Sequence, residues 1–550
     1  MSLPVRWMTG DNVRMKNKRI CVFHITALCA LLLLVWGCGW LPSSKLDRAK
    51  RLIDEGQFTK ALETVDELIK RDARNAMAFV LRGQANERIH GYETALKDFE
   101  AALDIDPNLR EAWVAKSNLL ARKGDLDGAI KDLESASKVG QNPAPVFAGM
   151  GLIYFYKENY PEAVRCFDKS TELDPKEEDA YFGRAAIYVE QNKFDAAIHE
   201  MDRLLRIQPK NPEALFRRGF AYLNVSQPAK ALDDFNTALE IDPDMKQIHW
   251  YRADAYRVLN DYQNALRDYE KAAETDPNDS ILYMNQASLL MMLGRYPGAL
   301  ERLGRSIVLE PDNPLPYINR AMLHVVTGSY TAALGDLNKA LKRRPDDPWL
   351  LTKRAQVFKY MTRGDRALAD LDTALNLDPS NHEAWLLRGG LYFNETQLDR
   401  AINDLHTAIR IEPDDPAAYQ ILAEALLRKG NTADALDNVG MALKIESSFP
   451  QAYVTMGEIH MADSHIDRAL EAYSRALSID PNNFEARLKR ANLYMELGNI
   501  KDAVADLDQA AKINPYKGDI YLLRGRCYEM LGNIDEARQD EWRAKVFANR

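Results

Sequence analysis

From residue 42 onward the apolar residues fall at spacings of three and four, the interval that places side chains on one face of an α-helix, and two such runs occupy every 34 residues. The pattern predicts two short amphipathic helices, A and B, in each interval. Counted in units that begin at 42, 76, 110 and so on, a break near positions 14–17 separates them. It is marked by Gly56, Gly124, Gly294, Gly328, Gly430, Gly498 and Gly532, and glycine takes the left-handed conformation that ends a helix at low cost. Pro161 and Pro297 stand where helix B begins, a place that needs no N–H. A proline at position 32, as in Pro107, Pro175, Pro413, Pro481 and Pro515, stops it.

The interval is constant. An alanine recurs from Ala61, Ala95 and Ala129 through Ala503 to Ala537 with no insertion, fifteen copies in all, and an array of this kind is expected to stack as a solenoid. Position 8 is small (Ala49, Gly83, Ser117, Gly151, Gly219), position 11 mostly aromatic or leucine (Tyr154, Tyr188, Tyr222, Phe358), and position 24 mostly bulky (Phe99, Phe167, Phe235, Tyr269). Small residues at positions 8 and 20 let the two helices approach closely.

Position 7 of helix A is basic and position 23 of helix B acidic in the same repeats: Arg82 with Asp98, Lys116 with Asp132, Arg184 with Glu200, Arg218 with Asp234, Arg252 with Asp268, Arg320 with Asp336, Arg354 with Asp370, Arg388 with Asp404, Arg490 with Asp506 and Arg524 with Asp540. Where the base is missing so is the acid, as in Met150 with Cys166, Gln286 with Arg302, Leu422 with Asn438 and Met456 with Ala472; Arg48 with Thr64 breaks the rule. This predicts an ion pair between A and B inside each of those repeats, worth ~0–1 kcal/mol if exposed and serving to hold helix register.

The repeat resembles the tetratricopeptide motif W-x2-L-G-x2-Y, A-x3-F, P; Tyr181, Ala185, Tyr188, Ala197, Met201 and Pro209 follow it closely. The resemblance implies an all-α superhelical solenoid of about fifteen 34-residue helix-turn-helix units, continuous over residues 45–550. It further implies protein partners held in a concave groove lined by helix A positions 2, 5, 9, 12 and 13. The family's clamp for chaperone tails needs lysine at 5 and asparagine at 9. Asn118 and Asn492 follow Val114 and Leu488 instead, so no such clamp is expected. In the last repeat Glu541 replaces an apolar residue, as in a solvent-facing cap.

Residues 1–37 are of another kind and are expected to be a signal peptide. Arg14, Lys16, Lys18 and Arg19 precede an apolar run from Ile20 to Trp36, and Met15 offers an alternative start. Cys38 directly follows Gly37, which resembles the lipobox of bacterial lipoproteins; the resemblance implies lipidation of Cys38, with 38–44 as a short linker. The alternative is an uncleaved signal anchor, for which 17 residues are at the short end of a span. Either reading places the repeats outside the cytoplasm. In a cell with two membranes Gly39, by resemblance, favours an outer-membrane address facing the periplasm. Cys21 and Cys29 leave with the signal, and Cys166 and Cys527 lie far apart in the array, so no disulfide framework is expected.

The net charge is −9, and without residues 1–37, which carry five basic and one acidic residue, it is −13. Such a chain is a poor candidate for nucleic acid. No HExxH, CxxC, phosphate-binding glycine loop or GxSxG is present, so no catalytic residues, metal or cofactor are expected and the protein is not expected to be an enzyme. His324 and His460 fall at the aromatic position 11 and read as core.

The groove positions carry the remaining signal. Position 5 runs Phe182, Phe216, Trp250, Met284, Ile318, and around the 280 and 314 repeats Ile281, Met291, Met292, Leu315, Met322, Val325 and Val326 join it, extended by Trp349 and Tyr360. Such a patch is either a partner site, for which methionine suits adaptable packing, or is buried between neighbouring repeats. The expected function is a membrane-anchored, extracytoplasmic scaffold for protein partners, envelope proteins by its address. The alternative is an accessory protein in glycan or exopolysaccharide export or envelope assembly.

Overall fold

The computed structural model describes residues 45–548. The fold is all-α: among the described residues thirty helices form fifteen consecutive pairs, from Lys45–Asp54 with Phe58–Arg71 to Gly518–Met530 with Ile534–Ala548. The chain divides into two compact units, one ending at Asn278 and the other beginning at Asp279. Residues 1–37 and Cys38 lie outside the described residues. No described helix is long and apolar enough to cross a membrane.

Each A–B turn is built the same way. Position 15 has positive φ in all repeats but that of 76–109, where Gly91 at position 16 takes the role. The position-16 N–H then returns to the position-11 carbonyl, as in Gln57 to Leu52 and Asn159 to Tyr154, which satisfies a carbonyl at the helix end. Only half of these turns are visible as glycines. Glu158, Asn192, Ser226, Asn260, Thr362, Thr396 and Ser464 hold the left-handed conformation as well, a local strain that the surrounding pair imposes.

The link from B to the next A is capped from both sides. Aspartates at position 31, such as Asp106, Asp174 and Asp378, accept a hydrogen bond from the N–H two residues on. Asn75, Asn211, Asn381 and Asn483 at position 34 cap the following helix through their side chains. One of the repeats that lack the position-32 proline, the one with Gln141 there, solves the problem differently. Arg110 reaches across to donate to the carbonyls of Val139, Gln141 and Asn142, so a guanidinium stands in for the missing ring constraint.

The core follows from the small positions. The recurring alanines from Ala61 to Ala537 are all buried. Position 8 faces the position-24 ring of its own repeat: a Cβ on Gly151 would sit 2.5 Å from Phe167, and one on Gly457 would sit 2.4 Å from Tyr473. At Gly151 and Gly457 the ring occupies the space of a side chain, so any larger residue there would have to displace it. In the last pair Glu541 is exposed, but Trp542 and Met530 are exposed beside it, at 65% and 60%. The outer face of that pair is therefore less polar than a solvent-facing cap.

Candidate partner-binding face

Within each unit the A helices of consecutive repeats pack on one another, as in Lys45–Asp54 on Ala76–Ile89 and Pro348–Tyr360 on His382–Asn394. A helices thus line one side, and their spacing is held by arginine. Arg218 is representative. Its Nε and Nη2 donate to the two carboxylate oxygens of Asp234 at 2.8 and 2.7 Å, while Nη1 reaches Asp202, on helix B of the preceding repeat, at 2.6 Å. Arg388 and Arg524 bridge in the same manner to Asp404 with Asp372 and to Asp540 with Asp508. Arg252 and Arg354 pair with Asp268 and Asp370 and use Asn236 and Asn338 as the second acceptor. Arg82 reaches Asp98 at 2.6 Å and Asp66 at 3.4 Å. The planar fork can serve both because its donors diverge in fixed directions.

Two consequences follow. The pair joins repeats as well as the helices of one repeat, through position 25 of the preceding unit. The sequence carries that signal in Asp66, Asp202, Asp372 and Asp508, but only positions 7 and 23 vary together, so the bridge is missed. The carboxylates are also buried: Asp98 and Asp234 are 5% exposed. Breaking such a pair therefore costs more than the exposed-pair figure. At Asp268 burial would raise the carboxyl pKa, yet hydrogen bonds from Arg252 and His249 pull it below the usual range. Hydrogen bonds to Asp234 hold the Arg218 guanidinium above its own. Lysine does this less well: Lys116 stands 3.5 Å from Asp132, whose Oδ2 is left without a partner, and burial raises that carboxyl.

The junction between the 416 and 450 repeats has no such arginine. Gln420 on the first A helix donates from Nε2 to Thr455 Oγ1 on the next at 3.0 Å and to Glu424 Oε1 at 2.5 Å, and Thr455 donates to Glu424 at 3.2 Å. Burial, with Glu458 and Glu485 nearby, pushes the Glu424 carboxyl up to about 7.

The apolar residues of the inner positions separate into three groups. Met284 and Ile318, at position 5, are buried. Ile281, Met291, Leu315, Met322 and Val325 are half-buried. Met292, Val326, Trp349 and Tyr360 are exposed, at 51%, 50%, 43% and 46%. The exposed four occupy positions 13, 13, 2 and 13 of three consecutive repeats, and two of them, Tyr360 and Trp349, stand against ordered neighbours. Tyr360 stacks on Tyr330 with centroids 5.1 Å apart and planes at 21°. Lys353 Nζ lies 5.3 Å from the Trp349 ring and 2.6 Å from Glu383.

No group of three or more His, Cys, Asp or Glu able to hold a metal occurs among the described residues. His324 and His460 each carry a buried Nδ1 without a partner, and burial lowers both pKa values. The thiols of Cys166 and Cys527 are free and buried.

Family models for the tetratricopeptide repeat match residues 46–109, 88–144, 149–212, 284–348 and 352–405, and further models for the same repeat match 185–258 and 456–527, 247–279 and 392–453. The first of these models alone covers more than half of the chain. No curated protein sequence matches. The chain is similar to the crystal structure of the APC/C hetero-tetramer Cut9-Hcn1, with 16% identity, 88% of this chain and 96% of that chain covered, and a TM-score of 0.39. It is similar to yeast Tom70, with 19% identity, 80% and 96% covered, and a TM-score of 0.38. It is also similar to YrrB, a TPR protein with an unusual peptide-binding site, with 24% identity, 34% and 95% covered, and a TM-score of 0.29.

Proposed function

The chain belongs to the tetratricopeptide repeat family, whose members bind other proteins, and on that premise we propose a membrane-anchored, non-catalytic scaffold that seats a protein partner on the A helices of residues 280–360. The observation that carries this reading is the exposure of Met292, Val326 and Tyr360 at position 13 of three consecutive repeats, joined by Trp349 at position 2. Large apolar groups in water on a rigid support mark an interaction site, and rigid aromatic anchors lose little entropy when they are covered. The stack of Tyr360 on Tyr330 and the lysine beside Trp349 fix those rings before a partner arrives.

A photo-crosslinking residue at Val326, with a control at exposed Lys339 on helix B, tests the reading in intact cells. One discrete protein captured at Val326 and not at Lys339 is the expected outcome. Equal capture at both, or none, refutes it.

The anchor rests on the basic head at Arg14–Arg19, the apolar run that follows and the cysteine at 38. It places the repeats outside the cytoplasm, with envelope proteins as partners. Metabolic palmitate labelling that is lost in Cys38→Ala is expected, and unchanged labelling overturns the lipid anchor. A second reading, glycan handling, draws on the first unit, where Phe155 lies 5.9 Å from exposed Tyr156 and 5.8 Å from Tyr160. Envelope polysaccharide that copurifies with the chain and is lost in Tyr156→Ala would favour it.

A further inference from the structure

The helix Pro348–Tyr360 carries three cations, and two have partners. Lys353 is held by Glu383, and Arg354 by Asp370 and Asn338. Lys359 has none among the described residues: its ammonium makes no ion pair and no hydrogen bond there. It stands at inner position 12, next in sequence to Tyr360. The inner positions of the two repeats before it, Ile281, Ser288, Met291, Met292, Leu315, Met322, Val325 and Val326, contain no charge. Desolvation alone pushes the Lys359 ammonium below the usual lysine range, and no carboxylate offsets it.

A free lysine tip at the edge of an apolar face is tolerable while water reaches it. Once a partner covers Tyr360 and Val326 that water is stripped, and an unpaired ammonium then opposes docking unless the partner supplies an acceptor. From this charge complementarity we infer that the partner segment seated on this face is apolar along one side and carries an aspartate or glutamate beside the residue that meets Tyr360, and that Lys359 receives this side-chain carboxylate. The inference rests on the partner-binding reading above and adds the sign and place of the specificity contact. A segment with no acid at that point leaves a cation buried; one with a lysine there meets repulsion as well.

The test is a peptide-display selection from a random library on the purified full chain, run in parallel on Lys359→Glu, Lys359→Met and Val326→Asp, with helicity checked for each. The wild-type chain is expected to enrich apolar peptides that share an aspartate or glutamate, and Lys359→Glu to enrich lysine or arginine at the same place. For a peptide so selected, Asp→Asn should weaken binding to the wild type about tenfold or more and leave binding to Lys359→Met unchanged. Apolar peptides without an acidic preference, recovered alike by wild type and Lys359→Glu, overturn the carboxylate contact and leave the binding face standing. Peptides that bind Val326→Asp as well as wild type overturn the face itself.

Discussion

Replacing Glu424 by glutamine is expected to stabilise the junction of the 416 and 450 repeats, and to do so only above mildly acidic pH. Burial raises the folded carboxyl from an ordinary 4.5 to about 7, the hydrogen bond from Thr455 opposes that, and Glu458 and Glu485 add to it. A difference of this size corresponds to ~3 kcal/mol. The group prefers to be neutral when folded, so below about pH 4 both states are protonated and nothing is lost. Between 4.5 and 7 the unfolded carboxyl ionises first, and stability falls as the pH rises. Above 7 the loss is complete and constant. Glutamine at 424 keeps an Oε1 to accept from Gln420 and Thr455 and carries no charge. Its gain over wild type should be near zero at pH 4 and approach ~3 kcal/mol at pH 8. Repeat arrays open locally, so the assay is hydrogen-exchange protection of the helices Pro416–Arg428 and Pro450–Ala462 at the two pH values. An equal gain at both, or none at pH 8, would refute the argument that the buried charge is what costs stability.

Arg218→Met leaves Asp234 buried and unpaired and unties Asp202 on the preceding repeat, so a loss of ~3–5 kcal/mol is expected in local stability, measured by hydrogen exchange of Pro228–Ile241, and adding Asp234→Leu should recover most of it. Gly151→Ala drives a methyl into the Phe167 ring and should destabilise by ~1–3 kcal/mol in urea unfolding, whereas Gly440→Ala, in open space within the helix Thr432–Ile445, should stabilise by ~1 kcal/mol. Burial pushes the Cys166 thiol up to about 11, so a thiol reagent at pH 8 should leave it unmodified in the folded chain and label it fully in denaturant.

The hydrophobic pattern determined the helix pairs, their number and their turns, because each depends on a few residues close in the chain. The 34-residue interval, the proline at position 32 and the alternation of small and bulky positions are all local. The pairing of Arg218 with Asp234 was legible too, since two positions in one repeat change together along the array. Contacts between repeats were not. Asp202 as second acceptor for Arg218 stands at a recurring position that does not vary in step with its base, while the network of Gln420, Glu424 and Thr455 and the left-handed turns at Thr362 and Thr396 leave no local signature, because the stacking of neighbouring pairs supplies the partner or imposes the strain. The apolar face divides for the same reason. Met284 and Met292 are the same residue type on one A helix, and both read as groove-lining. Whether such a side chain is buried, as at 284, or meets water, as at 292, is decided by how closely the surrounding helices pack.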